Sequence, residues 1–166
     1  MRGYCGIGIA HPKTGVNVGT LWRSAYSLGA AFVFTVGRRY DRQASDTTAA
    51  WRHLPLYHHL TLDALIDGLP YGCRLIGVEL DPLAVPLDRF AHPERAVYLL
   101  GAEDYGLSPA ERERCHALVQ LPGTVCLNVA TAGSIVLYDR TVKATAGLTA
   151  ELRRREEAHE RGTACV

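Results

Sequence analysis

The sequence has no long apolar run, and this absence limits where the protein can work. A membrane-spanning helix needs about 20 consecutive apolar residues, and no segment of the 166 residues approaches that length. The chain begins with a short apolar segment that lacks the longer apolar stretch and the cleavage site of a secretory signal. We therefore expect a cytoplasmic protein that does not associate with a membrane.

Cysteine is scarce and scattered. The five cysteines are odd in number and form no Cys-x-x-Cys pair, which argues against both a zinc site and a disulfide framework. The adjacent His58 and His59 would point to opposite sides of a strand and could not easily share an ion. We expect reduced thiols and no metal site.

An excess of either charge is also missing, since 18 Lys and Arg residues face 17 Asp and Glu residues for a net charge of +1. Nucleic-acid-binding proteins usually present a basic surface, so this balance counts against such a partner unless the basic residues share one local patch. Hydrophobic residues make up 48% of the chain, which excludes a disordered protein. A chain of this length without repeats fits one domain.

Short apolar segments of strand character alternate with segments of helical periodicity. We predict strands at Tyr4–Ala10, Phe32–Val36, Arg74–Leu80, Ala96–Gly101 and Ala117–Leu121, and helices at Val18–Leu28, Leu62–Leu69 and Ser108–Cys115. This alternation predicts an α/β fold with a mostly parallel sheet. We assign residues 1–150 to the domain and residues 151–166 to a charged C-terminal tail.

The first polar motif runs from His11 to Gly29 and contains Asn17, followed six residues later by Arg23. Asn17 lies where a helix should begin, and Arg23 lies about two turns further along. The pair could serve a site at the start of this helix. A helix-capping asparagine and an ordinary surface arginine explain the two residues equally well.

The second polar motif follows the strand that ends near Leu100. Gly101 allows another backbone or a ligand to approach closely, and Glu103 lies at the carboxyl end of the strand, where open α/β sheets bind their ligands. Ser108 and Pro109 then begin a capped helix. A simple loop with a solvated acid is the alternative.

The third polar motif follows Leu121 and places Asn128 between apolar residues at a predicted buried helix start. A buried asparagine must satisfy several donors and acceptors. A run of small residues follows, which would let a ligand loop or another helix approach closely: Ala130, Ala132, Gly133 and Ser134. A capping role would explain the asparagine but not the small residues.

Taken in order, the three motifs resemble the SPOUT superfamily of RNA methyltransferases, and within it the SpoU (TrmH-like) branch of ribose 2′-O-methyltransferases. The resemblance extends from Tyr4 to Lys143 and rests on an Asn-x5-Arg pair, a Leu-Gly-x-Glu-x-x-Gly-Leu-Ser block and a Leu-Asn-Val block. It implies a Rossmann-like parallel sheet flanked by helices, a C-terminal deep trefoil knot, and a homodimer that binds S-adenosylmethionine in the knot. We expect a minimal member without an RNA-binding extension, acting on tRNA in preference to rRNA.

The resemblance also implies residue roles. Arg23 matches the catalytic arginine of the family, and Asn17, Glu103 and Asn128 match the polar residues that accompany it. The implied cofactor-binding residues are Val78, Glu79, Leu100, Gly101, Val119, Leu121, Cys126, Leu127 and Asn128. Cys126 departs from the family, which usually has serine there, and a thiol is a weaker hydrogen-bond donor than a hydroxyl. Because a guanidinium group stays protonated, we expect Arg23 to hold a phosphate and polarise the ribose hydroxyl rather than accept a proton.

The segment Gly37–Pro55 is polar and lacks a clear period, which predicts a long exposed loop of the kind that often carries function. It holds four arginines that we assign to RNA binding: Arg38, Arg39, Arg42 and Arg52. Tyr40 and the Trp51-Arg52-His53 run add rings that could stack on bases. Ordinary solvated surface explains these residues equally well.

Two other functions fit parts of the sequence. A catalytically inactive RNA-binding protein with the same fold would not need Asn17, Arg23, Glu103 and Asn128 together. A nucleotide-dependent oxidoreductase would need Gly-x-Gly-x-x-Gly after the first strand, whereas the Gly-Ile-Gly triplet at residues 6–8 lies within that strand. We therefore expect an S-adenosylmethionine-dependent RNA ribose 2′-O-methyltransferase.

Overall fold

The computed structural model describes residues 3–40 and 49–163, and it describes side chains up to residue 147. Its centre is a seven-stranded sheet with the strand order β3-β2-β1-β6-β4-β7-β5, in which every pairing is parallel. The strands are β1 (Tyr4–Ala10), β2 (Phe32–Val36), β3 (Leu56–His59), β4 (Arg74–Val78), β5 (Val85–Pro86), β6 (Arg95–Leu100) and β7 (Ala117–Gln120).

Helices cover both faces of this sheet. They are α1 (Gly15–Ser27), α2 (Leu62–Asp67), α3 (Pro109–Arg114) and α4 (Val129–Thr163). Successive residues of β6 point to opposite faces, so Tyr98 packs into the core under α1 and α4, while Leu99 packs into the core beside α2. Burial on both faces explains why the strands are almost continuously apolar.

The predicted α/β class and parallel sheet are confirmed, while the knot stays a prediction from the family resemblance. The predicted bounds of β1 and β2 match the structure exactly. The long-loop prediction for Gly37–Pro55 is partly wrong, because Ala50–Arg52 forms a short 3₁₀ helix with Ala50 fully buried. The Trp22 indole also donates a hydrogen bond to the Leu54 carbonyl at 3.0 Å, which anchors this segment against α1. Arg42 lies outside the described residues.

Two of the small residues of the third motif, Gly133 and Ser134, serve helix packing. A methyl group on Gly133 would lie 2.6 Å from Leu21 Cδ1 and 3.0 Å from Leu100 Cδ1, so glycine lets α4 approach both α1 and the sheet. Ser134 donates a hydrogen bond to Ser24 of α1 at 2.7 Å, across the same interface. The structure therefore supports close approach of another helix for Gly133 and Ser134, whereas Ala132 lines a cleft at the carboxyl ends of the strands.

Helix α4 is much longer than the sequence motif suggested, and it continues through residues 151–163 of the charged tail. Among the helices in the described part of the chain, none is both long and apolar enough to cross a membrane.

Candidate active site

A cleft opens at the edge of the sheet where the parallel strands end. It has a volume of about 790 Å³, within the range of small-molecule sites. The carboxyl ends of β4 and β6, the segments that follow β6 and β7, and the starts of α1 and α4 form its walls. This is the edge at which open α/β sheets bind ligands.

The predicted cofactor-binding residues, with one exception, line this cleft. Those that do are Val78, Glu79, Leu100, Gly101, Leu121, Cys126, Leu127 and Asn128. The exception is Val119, whose side chain is fully buried in the core. Its carbonyl accepts a hydrogen bond from the Glu79 backbone at 3.0 Å, so Val119 fixes the wall rather than lining it.

Three of the predicted catalytic residues form one hydrogen-bonded chain beside the cleft. The Asn17 side-chain amide donates to Glu103 Oε1 at 2.9 Å, and the Asn128 amide donates to Asn17 Oδ1 at 2.9 Å. Asn128 Oδ1 also accepts hydrogen bonds from the Ala130 and Thr131 backbones at 3.0 and 3.2 Å. Asn128 therefore caps α4 and joins the site at the same time, although it is exposed rather than buried as predicted.

The capping interpretation of Asn17 is wrong. Helix α1 begins at Gly15 after the extended Thr14, so Asn17 is the third residue of the helix. Its side chain points to Glu103 instead of to the helix backbone.

The Glu103 carboxylate accepts several hydrogen bonds from the protein and is not a simple solvated acid. Besides Asn17, its carboxylate accepts hydrogen bonds from the Lys13 backbone at 2.8 Å and from the backbone and hydroxyl of Thr14 at 3.2 and 3.1 Å. Burial acts to raise the pKa of Glu103, but the hydrogen bonds from Asn17 and from the backbone outweigh it and lower the pKa to about 2. The carboxylate is thus ionised at neutral pH and ties the segment after β1 to the loop after β6.

A second carboxylate holds the opposite end of that loop. Glu79 accepts hydrogen bonds from the Leu107 backbone at 2.5 Å and from the Leu80 backbone at 3.0 Å. Residues 102–106 form a tight turn that folds back over Gly101, where any Cβ would overlap the backbone of Gly106. Close approach of the chain's own loop therefore requires the glycine at position 101.

Arg23, the fourth predicted catalytic residue, lies elsewhere. It is exposed on α1, about 9 Å further along the helix axis than Asn17, and it is not among the residues that line the cleft. Within one subunit, the structure does not bring Arg23 to the hydrogen-bond network formed by Asn17, Glu103 and Asn128.

The described arginines assigned to RNA binding lie on the surface near α1. Arg38 donates a hydrogen bond to the Lys13 carbonyl at 2.9 Å, next to the cleft. Arg39 lines a small pocket of about 70 Å³ at the start of α1, and the guanidinium of Arg52 lies 5.0 Å from the centre of the Trp51 ring. Their role in RNA binding stays a prediction.

Sequence reasoning missed Lys13 and Thr14, which supply most of the donors to Glu103. Two of these donors are backbone amides, and every residue except proline has one, so the residue type does not reveal them. Their position was the one available signal, because both residues lie within four positions of the carboxyl end of β1.

Comparisons with known proteins give a consistent result. The family model described as the SpoU rRNA methylase family matches residues 6–138. An uncharacterized tRNA/rRNA methyltransferase from Mycobacterium sp. (strain KMS) is 32% identical over 137 residues, which cover 74% of this chain and 41% of that protein. The chain thus spans about two fifths of the length of the curated relatives that it matches first.

Solved structures agree. The SpoU methyltransferase AviRb from Streptomyces viridochromogenes superposes with a TM-score of 0.77 at 25% identity, covering 89% of this chain and 62% of AviRb. A structure described as giving insight into 2-OH methylation of C/U34 on tRNA has a TM-score of 0.73 at 22% identity, and the match covers 86% of this chain and 98% of that one. The chain therefore belongs to the SpoU methylase family of RNA methyltransferases, as its three motifs predicted.

Proposed function

We propose that the protein is an S-adenosylmethionine-dependent RNA ribose 2′-O-methyltransferase that acts on tRNA or rRNA, with tRNA favoured. The observation that carries this proposal is the chain of hydrogen bonds from Asn128 through Asn17 to the ionised Glu103, at the wall of a cleft of ligand size. An inactive RNA-binding protein would have no need for this arrangement.

The cleft suits S-adenosylmethionine in shape and charge. Exposed apolar side chains line it and could cover an adenine ring: Leu80, Tyr105, Val125 and Leu127. Its charged residues are three acids and one lysine, and that lysine, Lys13, is paired with Asp104 at 2.8 Å. An acidic cleft favours a ligand with a cationic sulfonium and amino group. AviRb has also been solved with AdoMet bound, at 24% identity to this chain.

When bound, the cofactor supplies an electrophilic methyl group. In the methylation step the ribose 2′ oxygen bonds to the methyl carbon and the carbon–sulfur bond breaks. The electron pair of that bond stays on sulfur in the thioether product, and the hydroxyl proton passes to water. The contribution of the protein is alignment of the hydroxyl with the methyl carbon. Asn17 and Asn128 fix the wall at which the ribose must be placed, and Glu103 keeps both asparagines oriented.

Two comparisons bear on which RNA is methylated. The structural neighbour named for C/U34 methylation on tRNA shares the fold with this chain, and the mycobacterial relative is named for tRNA and rRNA together. We therefore place tRNA first and test rRNA beside it.

Methyl transfer from radiolabelled S-adenosylmethionine tests the proposed function. The protein is incubated with bulk tRNA or rRNA, and the product is digested with alkali. Because a 2′-O-methyl group blocks the hydroxyl that attacks the phosphate, the label should remain in alkali-resistant dinucleotides. Asn128→Ala should transfer little label. Label recovered in mononucleotides would contradict ribose methylation, and no transfer to either RNA would favour the RNA-binding alternative.

The position of Arg23 leads us to propose a homodimer. Helices α1 and α4 pack against each other and both expose apolar residues. Val16, at 61% exposure, is seven residues before Arg23 and so lies on the same face of α1. Tyr138, at 62% exposure, shares one face of α4 with Ile135 and Val142. A symmetric partner would cover this surface and bring its own Arg23 to the cleft of the first subunit. There Arg23 would hold a phosphate and polarise the 2′ hydroxyl through paired hydrogen bonds.

Mixed dimers test this arrangement. Arg23→Ala and Asn128→Ala are expected to be inactive alone. If Arg23 serves the cleft of the partner, a mixed dimer contains one complete site, and co-expression of the two variants should restore roughly a quarter of wild-type activity for random pairing of two subunits. No recovery in a purified mixed dimer would show that Arg23 serves the cleft of its own chain.

A further inference from the structure

The flank of α1 that contacts Tyr40 and the 3₁₀ helix Ala50–Arg52 carries a row of cations and aromatic rings. At the cleft end, Arg38, Arg39 and Tyr40 lie beside the first turns of the helix around the pocket of about 70 Å³. At the other end, Tyr26 stacks on His53. Gly15 and Tyr26 are eleven residues apart, so the row extends about 16 Å along the helix. We call this surface the α1 flank.

The ring pair at the far end has a distinctive geometry. The ring centres of Tyr26 and His53 are 5.0 Å apart and their planes differ by only 13°. The other aromatic pairs in the described part of the chain are tilted or edge-on. Tyr26 is 44% exposed and His53 is also exposed, so part of this stacked pair is accessible to solvent. Exposed flat rings of this kind stack on unpaired bases.

The charge of this surface suits a polyanion. The segment of residues 37–56, which supplies the cations of the α1 flank, contains four arginines against two aspartates, and its described part, residues 37–40 and 49–56, holds three of the arginines and neither aspartate. The net charge of +1 for the whole chain thus conceals a locally basic surface. Arg52 lies next to the stacked pair, with its guanidinium over the Trp51 ring.

We propose that the α1 flank binds single-stranded RNA, with a phosphate held by Arg38 and Arg39 near the cleft and an unpaired base stacked on Tyr26 and His53. This inference rests on the proposed function, because it describes the path by which RNA reaches the methyl-transfer cleft. It also narrows the substrate: bases in an RNA duplex are already stacked and cannot reach the platform, so the nucleotides next to the target lie in a loop or bulge.

Fluorescence anisotropy with a labelled single-stranded oligoadenylate tests the stacking platform. Wild-type protein should bind this probe more tightly than the same strand paired in a duplex. Tyr26→Ala and His53→Ala should each weaken binding to the single strand about tenfold, as expected for the loss of one stacked base. Tyr26→Phe keeps the ring and should bind as the wild type does.

Tyr71→Ala provides the matched control. Tyr71 is 95% exposed. It lies before the start of β4, whereas the cleft is at the carboxyl ends of the strands, so loss of the Tyr71 ring should leave RNA binding unchanged. Thermal unfolding and calorimetric titration with S-adenosylmethionine then verify that each variant is folded and keeps its cofactor cleft.

Two results would overturn the inference: wild-type affinity in both Tyr26→Ala and His53→Ala, or equal binding of duplex and single strand by the wild-type protein. Failure of the proposed function has a different signature. In that case the oligoadenylate binds with the expected ring dependence, but the wild-type protein transfers no methyl group to tRNA or rRNA.

Discussion

Replacing Glu103 with glutamine keeps the shape of the side chain and removes its charge. The carboxylate accepts four hydrogen bonds, from the Lys13 backbone, from the backbone and hydroxyl of Thr14, and from Asn17. A glutamine amide has one accepting and one donating end. Whichever way it turns, its NH₂ group faces at least one of these donors, so the segment after β1 loses part of its attachment to the loop after β6.

The size of the effect follows from the pKa of Glu103, which is lowered from an ordinary 4.5 to about 2. A difference of this size corresponds to about 3 kcal/mol. Because the side chain is partly exposed, solvent screening reduces the expected contribution to about 1–2 kcal/mol. A carboxyl group whose pKa is lower in the folded state stabilises the fold above its unfolded pKa. The contribution is lost as the pH falls from 4.5 through about 2.

Urea unfolding of wild type and Glu103→Gln at several pH values measures this contribution. The free energy of unfolding should differ by about 1–2 kcal/mol at neutral pH, and the difference should shrink below about pH 4. Asp104→Asn is the control, since Asp104 is exposed and pairs only with the Lys13 ammonium among its described contacts. It should change stability by less than about 0.5 kcal/mol.

Activity should fall further than stability in Glu103→Gln. Asn17 and Asn128 depend on the carboxylate for their orientation, and small displacements at a reacting centre are costly. We expect kcat/KM for methyl transfer to fall by about tenfold or more. Two results would refute the argument that the ionised Glu103 carboxylate connects the two segments: an unchanged free energy of unfolding at neutral pH, or the same pH dependence of that free energy in wild type and variant.

Two further substitutions test the loop and the site. Gly106→Ala should cost about 2–4 kcal/mol in urea unfolding, because Gly106 has φ +68° and a methyl group would overlap the Glu79 carboxylate. Gly29→Ala, at φ +74° with no atom within 4 Å, should cost only about 1 kcal/mol, and equal losses would show that crowding at Gly106 is unimportant. Cys126→Ser restores the residue usual in the family at an exposed position. It should leave stability within about 0.5 kcal/mol and raise the rate of methyl transfer, and an unchanged rate would show that a hydroxyl there does not order the site.

The central strands could be predicted because they are buried on both faces of the sheet. Such strands consist of short, almost continuous apolar runs, which are visible in the sequence. The two strands that were missed lack this signature. Strand β3 is an edge strand with the sequence Leu-Tyr-His-His, in which Tyr57 is exposed. Strand β5 has two exposed residues, one of them Pro86. A partner on only one side leaves such strands without a periodic apolar pattern.

The polar residues of the site could be predicted as residue types, but their connection could not. Asn17 and Glu103 are 86 residues apart, and Asn17 and Asn128 are 111 residues apart. The strand order places β6 next to β1 and so brings Glu103 to the start of α1, while the packing of α4 against α1 brings Asn128 to Asn17. The motifs likewise placed Arg23 with the other three residues, since sequence order contains no information about which face of α1 meets the cleft.

The chemistry of the cleft limits how the hydroxyl proton can leave. Glu103 is held ionised by its hydrogen bonds and has a pKa of about 2, so it is a poor proton acceptor at neutral pH. No histidine is among the described residues that line the cleft. With a protonated arginine as the remaining catalytic candidate, the rate of the proposed ribose methylation would come from alignment and from electrostatic polarisation of the hydroxyl, and water would take the proton. That requirement would account for the hydrogen bonds that fix Asn17 and Asn128, and under it the placement of Arg23 across a subunit interface would control activity.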